Sequence, residues 1–317
     1  MYKRNLELSD KNTLEAIPEN MVRGNLDPFR PPVLTVNSGD TVTIHNVWAL
    51  SPEGLPNDEV ADAIKCADQA LGPCEMGVHF LTGPVAVHGA EPGDVLEVRI
   101  LDVQLKSDWG WNIIKRNAGS LPGDFSFNRQ IIIPFDRESM TGSWLKGINI
   151  KLEPFFGIMA VAPPKEVGKK ESSAPDKWGG NMDIKVLKKG STLYLPIWTE
   201  EALFFAGDGH AAQGDGEVCL TAIETSLIGV FQFITRKDMK LETPFAETPS
   251  YFVSIGLDPI LEKALRQMIN FISNRWGLSR EDAYRVCSTA VDFHISQVVN
   301  PNKGVHGLLP KSIFKSS

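Results

Sequence analysis

Three times in this chain a glycine turn is followed by residues that alternate between apolar and polar. Ser38-Gly39-Asp40 precedes Val42 and Ile44 set against Thr41, Thr43 and His45. Pro92-Gly93-Asp94 precedes Leu96, Val98 and Ile100 opposite Val95, Glu97 and Arg99, and Lys189-Gly190-Ser191 precedes Leu193, Leu195 and Ile197. A period of two places one set on each face of a pleated strand, which no helix satisfies. The fold class is therefore mainly β, with an antiparallel sandwich- or barrel-like core rather than parallel βαβ repeats. Residues 33–47 read as two strands joined at Ser38-Gly39-Asp40, and residues 155–162 as a buried strand closed by Pro163-Pro164.

Helical spacing is confined to two places. Residues 57–69 read as a short helix. In the C-terminal third, Asp258-Pro259 opens a helix through Leu261, Ala264, Leu265, Met268 and Ile269. Ser279 and Asp282 then cap a second helix, whose apolar positions run from Ala283 through Cys287 and Ile295 to Val298. A helical hairpin covering the sheet is expected, within a smaller α+β part. The expected division is soft: a mainly-β core over 1–225 and an α+β part over 226–317 packing on it. Residues 1–32 show little periodicity and read as an extended arm or an irregular first strand.

The chemistry is concentrated in Gly207-Asp208-Gly209-His210-Ala211-Ala212-Gln213-Gly214-Asp215-Gly216-Glu217, where three carboxylates, an imidazole and a carboxamide fall within eleven residues. Its glycines predict an ordered loop between two strands, the second an alternating stretch over 217–224. Carboxylates and imidazole are ligands for zinc, and carboxylates with carboxamide or carbonyl oxygens suit calcium or magnesium. Without a cation, acids crowded this closely repel one another, which raises at least one pKa and makes an acid or base of it.

Several functions are disfavoured. The formal net charge is −7, and no basic-aromatic interleaving offers a face to nucleic acid. No apolar run reaches membrane-spanning length and no leader is visible, so the expected location is cytoplasmic, with no membrane partner. Cys66, Cys74, Cys219 and Cys287 are scattered, and reduced thiols are expected. Cys219, in the alternating stretch, reads as a wall thiol rather than a nucleophile. Ser172-Ser173 lies in a charged loop, 165–177, expected at the surface.

The acid-rich stretch resembles the signature of the acetamidase/formamidase family, hydrolases of small linear amides. The run from Val78-His79-Phe80-Leu81-Thr82-Gly83-Pro84 to Gly93-Asp94-Val95-Leu96, the block Gly179-Gly180-Asn181-Met182-Asp183 and the C-terminal Ser296-Gln297-Val298-Val299-Asn300-Pro301 are similar to further family blocks in the same order. The resemblance implies hydrolysis of a formamide- or acetamide-like substrate to carboxylate and ammonia; the residue chemistry suits a metal-activated water for that reaction, with zinc favoured and calcium possible. His79, Asp183 and His210 are the candidate metal ligands, with Asp208 as an alternate ligand or an acid–base group. Glu217 or Asp215 is the candidate general base. Gly209, through its backbone N–H, and Gln213, Asn181 and Trp109 are assigned to substrate contact. The glycine-punctuated excursion over 105–152 suggests binding loops or subunit contacts, and a homo-oligomer, dimer or larger, is expected. One departure is noted: where family members carry an acid near the end of the first long strand, this chain reads His45-Asn46-Val47-Trp48. The competing reading is a non-catalytic β-sandwich binding protein stiffened by a structural metal.

Overall fold

The computed structural model describes residues 12–51, 53–73, 76–145, 148–257 and 260–311. Residues 1–11, Cys74 and Asp258-Pro259 lie outside them. The chain is mainly β, built on two large sheets, neither of which closes into a barrel. In order across the sheet, nine strands form the first: Thr13–Leu14, Thr41–Asn46, Leu227–Arg236, Val95–Leu105, Thr192–Pro196, Phe245–Glu247, Tyr251–Leu257, Gly304–Pro310 and Asp292–Gln297. All three turn-plus-alternation units supply strands to it, and their turn residues Gly39, Gly93 and Gly190 have φ of +100°, +91° and +86°. Only glycine takes such angles without strain.

The second sheet has eleven strands and is centred on Phe204–Ala212. That strand pairs with Phe155–Val161 on one side and with both Phe80–Val87 and Ile223–Glu224 on the other. The two sheets are held face to face by apolar side chains. Phe156 and Phe204 reach across from the second sheet to Phe231 and Phe233 of the first, with ring centroids 4.9–5.8 Å apart. Each buried Phe contributes about 1.5–3 kcal/mol relative to exposure, so this seam fixes how the sheets overlie.

The fold departs from the sequence expectations in three respects. The strands flanking Ser38-Gly39-Asp40 do not pair with each other. Leu34–Val36 runs parallel to Phe80–Val87 in one sheet while Thr41–Asn46 joins the other, so the turn carries the chain across the sandwich. A second parallel pair, Thr13–Leu14 with Thr41–Asn46, adds to an otherwise antiparallel arrangement. The second C-terminal helix, Arg280–Ala290, stops early, and Asp292–Gln297 becomes an edge strand against Gly304–Pro310. Alternation took over from helical spacing there because the open sheet edge satisfies the backbone. Leu227–Arg236 lies in the interior of the first sheet, between Thr41–Asn46 and Val95–Leu105.

The expected helices are present. Glu59–Leu71 starts at Asp58, whose side chain accepts from the Ala61 N–H, and it buries Ala61, Ile64 and Ala67. Ile260–Trp276 and Arg280–Ala290 form the hairpin and cover the first sheet through Met268, Ile272, Ala283 and Cys287 against Phe245 and Phe252. Among the described residues no helix is long and apolar enough to cross a membrane.

Candidate active site

The stretch expected as one loop is, in its first half, the central strand of the second sheet. Phe156 faces Gly209 and Ile158 faces Gly207 across the ladder, which sets Gly157 against Asp208. On the other side His210 is registered with Glu224. The glycines are needed for close approach inside the sheet: a Cβ on Gly207 would lie 2.5 Å from the Phe80 carbonyl, and one on Gly209 2.5 Å from the Thr225 carbonyl. The loop begins at Gln213. Residues 217–222 form a turn and irregular backbone rather than the expected alternating strand, which shrinks to Ile223–Glu224.

These registers assemble four buried carboxylates around one imidazole. His210 Nε2 is 3.2 Å from Glu224 Oε1, 3.4 Å from Asp208 Oδ2 and 3.8 Å from Glu217 Oε1. Asp183 joins from the far side, accepting a hydrogen bond of 2.8 Å from Asn300 Nδ2. With its amide nitrogen turned toward the acids, as its neighbours require, Asn181 donates to Asp183 Oδ1 at 3.0 Å and to Asp208 Oδ2 at 2.9 Å. Glu224 is held at both oxygens, by Trp48 Nε1 at 2.7 Å and by the Ala222 N–H at 2.8 Å. Among the described residues the Glu217 carboxylate accepts no hydrogen bond, although it lines the adjoining cavity. Asp183, Asp208 and Glu217 all sit on left-handed backbone, with φ of +51°, +57° and +47°. Non-glycine residues persist there only where the surroundings over-determine them, and such residues cluster at functional sites.

Burial and mutual repulsion set the protonation. Burial, reinforced by Asp208, pushes the Asp183 carboxyl up to about 8. Burial and Asp183 likewise hold Glu217 well above the usual carboxylate range. For Asp208 burial acts upward, but the neighbouring His210 and His79 outweigh it and the net shift is down. Burial also opposes charge on His210, yet Glu224 and Asp208 overcome it and raise the imidazole well above its ordinary value.

The His210 tautomer follows from hydrogen-bond counting. Gln213 Nε2 donates to the carbonyls of Asp183 and Ser296 at 2.9 and 3.2 Å, and carbonyls only accept. Gln213 Oε1 is thereby turned to His210 Nδ1 at 2.9 Å, so Nδ1 carries the hydrogen. Nε2 is left buried among the carboxylates, near enough for ionic attraction but without an aligned hydrogen-bond partner. An orphaned imidazole nitrogen facing carboxylates, its other nitrogen fixed by a second group, is the donor chemistry of a metal ligand. Two groups of residues have ligand atoms within 4.8 Å of one another: Asp183, Asp208 and His210, and His210, Glu217 and Glu224. A Cβ on Gly157 would fill the space facing the first group, 2.5 Å from Asp183 Oδ1 and 2.6 Å from Asp208 Oδ2. If this group holds a divalent ion, removing the amide that fixes Nδ1, by Gln213→Ala, should weaken its binding by about 10–100-fold. Titration with a competing chelator checks this.

The structure brings together His210, Asp208, Asp183, Glu217, Asn181 and Gln213. Gln213 acts on His210 rather than facing the cavity directly. His79 is near, its Nε2 3.9 Å from Asp208 and its Nδ1 2.9 Å from Ser172 Oγ, but it belongs to neither ligand group. Ser172 is fully buried, unlike the surface loop expected around it. Three expected positions lie elsewhere. Asp215 pairs with Lys185 at 3.2 Å and His294 at 3.1 Å away from the carboxylate cluster. Trp109 donates to Asp58 Oδ2 at the helix start, and its neighbour Trp111 is the one lining the cavity. Gly209 packs against Thr225 and Leu227.

Four contributors were not singled out from sequence. Gly157 carried a usable signal, a lone glycine inside a buried apolar strand. Asn300 stood in a recognised block without a role. Glu224 and Trp48 carried none, since their proximity arises from pairing between distant strands. Trp48 stands at the noted departure after His45 and borders the site.

The cluster opens on a cavity of about 320 Å³. Comparison with known proteins adds the following. The model of the Acetamidase/Formamidase family matches residues 19–177 and 172–316. A formamidase from Methylophilus methylotrophus is 26% identical over 377 aligned positions, covering 94% of this chain and 90% of that protein. The crystal structure of an acetamidase from Bacillus halodurans superposes with a TM-score of 0.82 at 28% identity, over 95% of this chain and 98% of that one. An acetamidase from Yersinia enterocolitica gives a TM-score of 0.81 at 27% identity, covering 97% and 94%.

Proposed function

The chain belongs to the acetamidase/formamidase family, and from that membership we propose that it is an amidohydrolase, converting a linear carboxamide and water to carboxylate and ammonia. Relatives named as formamidase and acetamidase support the reaction. The observation that carries the route is the orphaned His210 Nε2 among carboxylates, beside a cavity-facing Glu217 that no donor holds.

Asp183, Asp208 and His210 would hold a divalent ion, for which nitrogen with carboxylate oxygens favours zinc, and calcium is the second choice. Bound there, the ion would activate water and polarise the amide carbonyl. The remaining chemistry belongs to the chain. Glu217 takes a proton from water as the water oxygen bonds to the carbonyl carbon. When the C–N bond breaks, the same carboxyl returns that proton to nitrogen, which leaves as ammonia. Burial and Asp183 shift its carboxyl upward, in the direction of the ambient pH, where a proton shuttle works best. Asn181 and Asn300 orient Asp183, and Trp48 holds Glu224 in place. The alternative of a non-catalytic binding protein with a structural metal is not favoured, because it leaves the unheld Glu217 at the cavity without a purpose.

Ammonia release from formamide, acetamide and propionamide should be abolished by chelation and restored by one metal, zinc before calcium. No release from any amide by metal-loaded protein would defeat the proposal. The same apoprotein gives a pH test. Its Asp183 carboxyl, ordinarily near 3.8, keeps its proton up to about 8, so metal entry must expel that proton. Zinc affinity should rise about tenfold per pH unit for each proton released as pH climbs toward 8. Because the folded value is the raised one, this carboxyl's contribution to the metal-free fold is full below about pH 3.8 and is lost as pH rises through about 8. Calorimetric titration in buffers of differing ionisation enthalpy checks the proton release.

A further inference from the structure

The cavity is larger than the smallest amides require. At roughly 30 Å³ per non-hydrogen atom, the share of a water molecule in the liquid, acetamide fills about 120 Å³. The cavity volume is about 320 Å³, which on the same scale accommodates about ten non-hydrogen atoms. Its lining mixes two chemistries. The same lining holds the carboxylates Asp208, Glu217 and Glu224 and the apolar side chains of Leu50, Val78, Trp111, Leu220 and Val299. Apart from those three acids, the charged residues of the lining are one cation, Lys115, and one anion, Glu171, which offset each other and leave no excess cation to recruit an ionised acidic tail.

Leu220 adds an independent observation. Its φ is +103°, outside the regions that L-residues favour. It is only partly buried, and it packs on the cluster containing Trp48, Phe80 and Trp111. A strained leucine with part of its side chain exposed is poorly accounted for by core packing alone. Strain of this kind gathers at ligand-contacting sites.

We propose that the preferred substrates are uncharged carboxamides with a bulky apolar acyl group, of phenylacetyl or branched-hexanoyl size, and that Leu220 and Leu50 select them. This rests on the amidohydrolase reading above. The carboxamide meets Glu217, and the acyl group displaces water from the surface formed by Leu220 and Leu50. Hydrophobic pockets discriminate by about 10–200-fold per methylene at best, so a partly open one of this length should reach a large ratio over several carbons.

The test is kcat/KM for formamide, acetamide, butyramide and phenylacetamide with the metal-loaded protein. Phenylacetamide should exceed acetamide by at least about 100-fold. Leu220→Ala and Leu50→Trp, made separately so that one misfolded variant does not decide the matter, should each shrink the phenylacetamide-to-acetamide ratio by about tenfold. Acetamide or formamide as the best substrate would overturn the proposal, as would a ratio that neither variant moves. No ammonia from any of the four would overturn the amidohydrolase reading itself, an outcome plainly different from a small-amide preference.

Discussion

A Gly157→Ala variant should release essentially no ammonia and should unfold more readily than the parent. The added methyl group would stand 2.5 Å from Asp183 Oδ1, 2.6 Å from Asp208 Oδ2 and 3.0 Å from His210 Cε1, nearer than side-chain carbons approach other atoms. None of the three can step back. Asp183 is tied to Asn300, Asp208 sits on left-handed backbone within a strand, and His210 is fixed by Gln213. Overpacking a buried site costs about 1–3 kcal/mol of stability. Displacing reactive groups by about 1 Å costs roughly 100-fold in rate, and three groups move together here. Gly123→Ala is the control, since no atom lies within 4 Å of a Cβ built there. Ammonia release, thermal unfolding and elemental analysis for zinc should be read on both variants. A Gly157→Ala protein with parental activity and metal content would place the cation, and the chemistry, somewhere other than this cluster.

Glu217→Gln should lower kcat by about 10³-fold, within the 10²–10⁴ range for loss of a general acid–base group, while zinc content and unfolding temperature change little. The substitution is nearly isosteric. Because burial already holds Glu217 well above the usual carboxylate range, a neutral amide suits this buried position. The informative comparison is Asp215→Asn. Asp215 is partly exposed and paired with Lys185 and His294, and partly exposed ion pairs contribute about 0.2–1 kcal/mol. Its loss should change kcat only a few-fold. Were Asp215→Asn the crippling change and Glu217→Gln the mild one, the proton shuttle would have to be reassigned.

Much of this site could be read before any fold was known. Asp208, His210, Gln213 and Glu217 come from one short run, and their density in ionisable groups marks them without reference to neighbours. Their roles were less legible. Asp215 and Glu217 are two residues apart and chemically alike, yet one is tied to a lysine and a histidine while the other is buried at the cavity. The difference is made by the turn that follows Gln213. Trp109 and Trp111 pose the same problem. Residues two apart on one strand share a face, and only what packs against that face sends Trp109 to the Asp58 helix start and Trp111 to the cavity. Ser172 looked like part of a charged surface loop because its neighbours are polar, whereas its hydroxyl is buried against His79.

By itself the sequence determined the β class, the turns at Gly39, Gly93 and Gly190, the helical hairpin and the stock of acids and imidazole at the site. Each of these depends on local periodicity, glycine backbone freedom or residue chemistry, all of which are properties of short segments. Tertiary structure alone decided that Glu224 would lie beside His210, that Gly157 would leave room opposite Asp208, and that Asn300 would reach Asp183 from 117 residues away. Strand register and sheet order place these groups. A period of two says which face a side chain takes but not which strand will lie next to it.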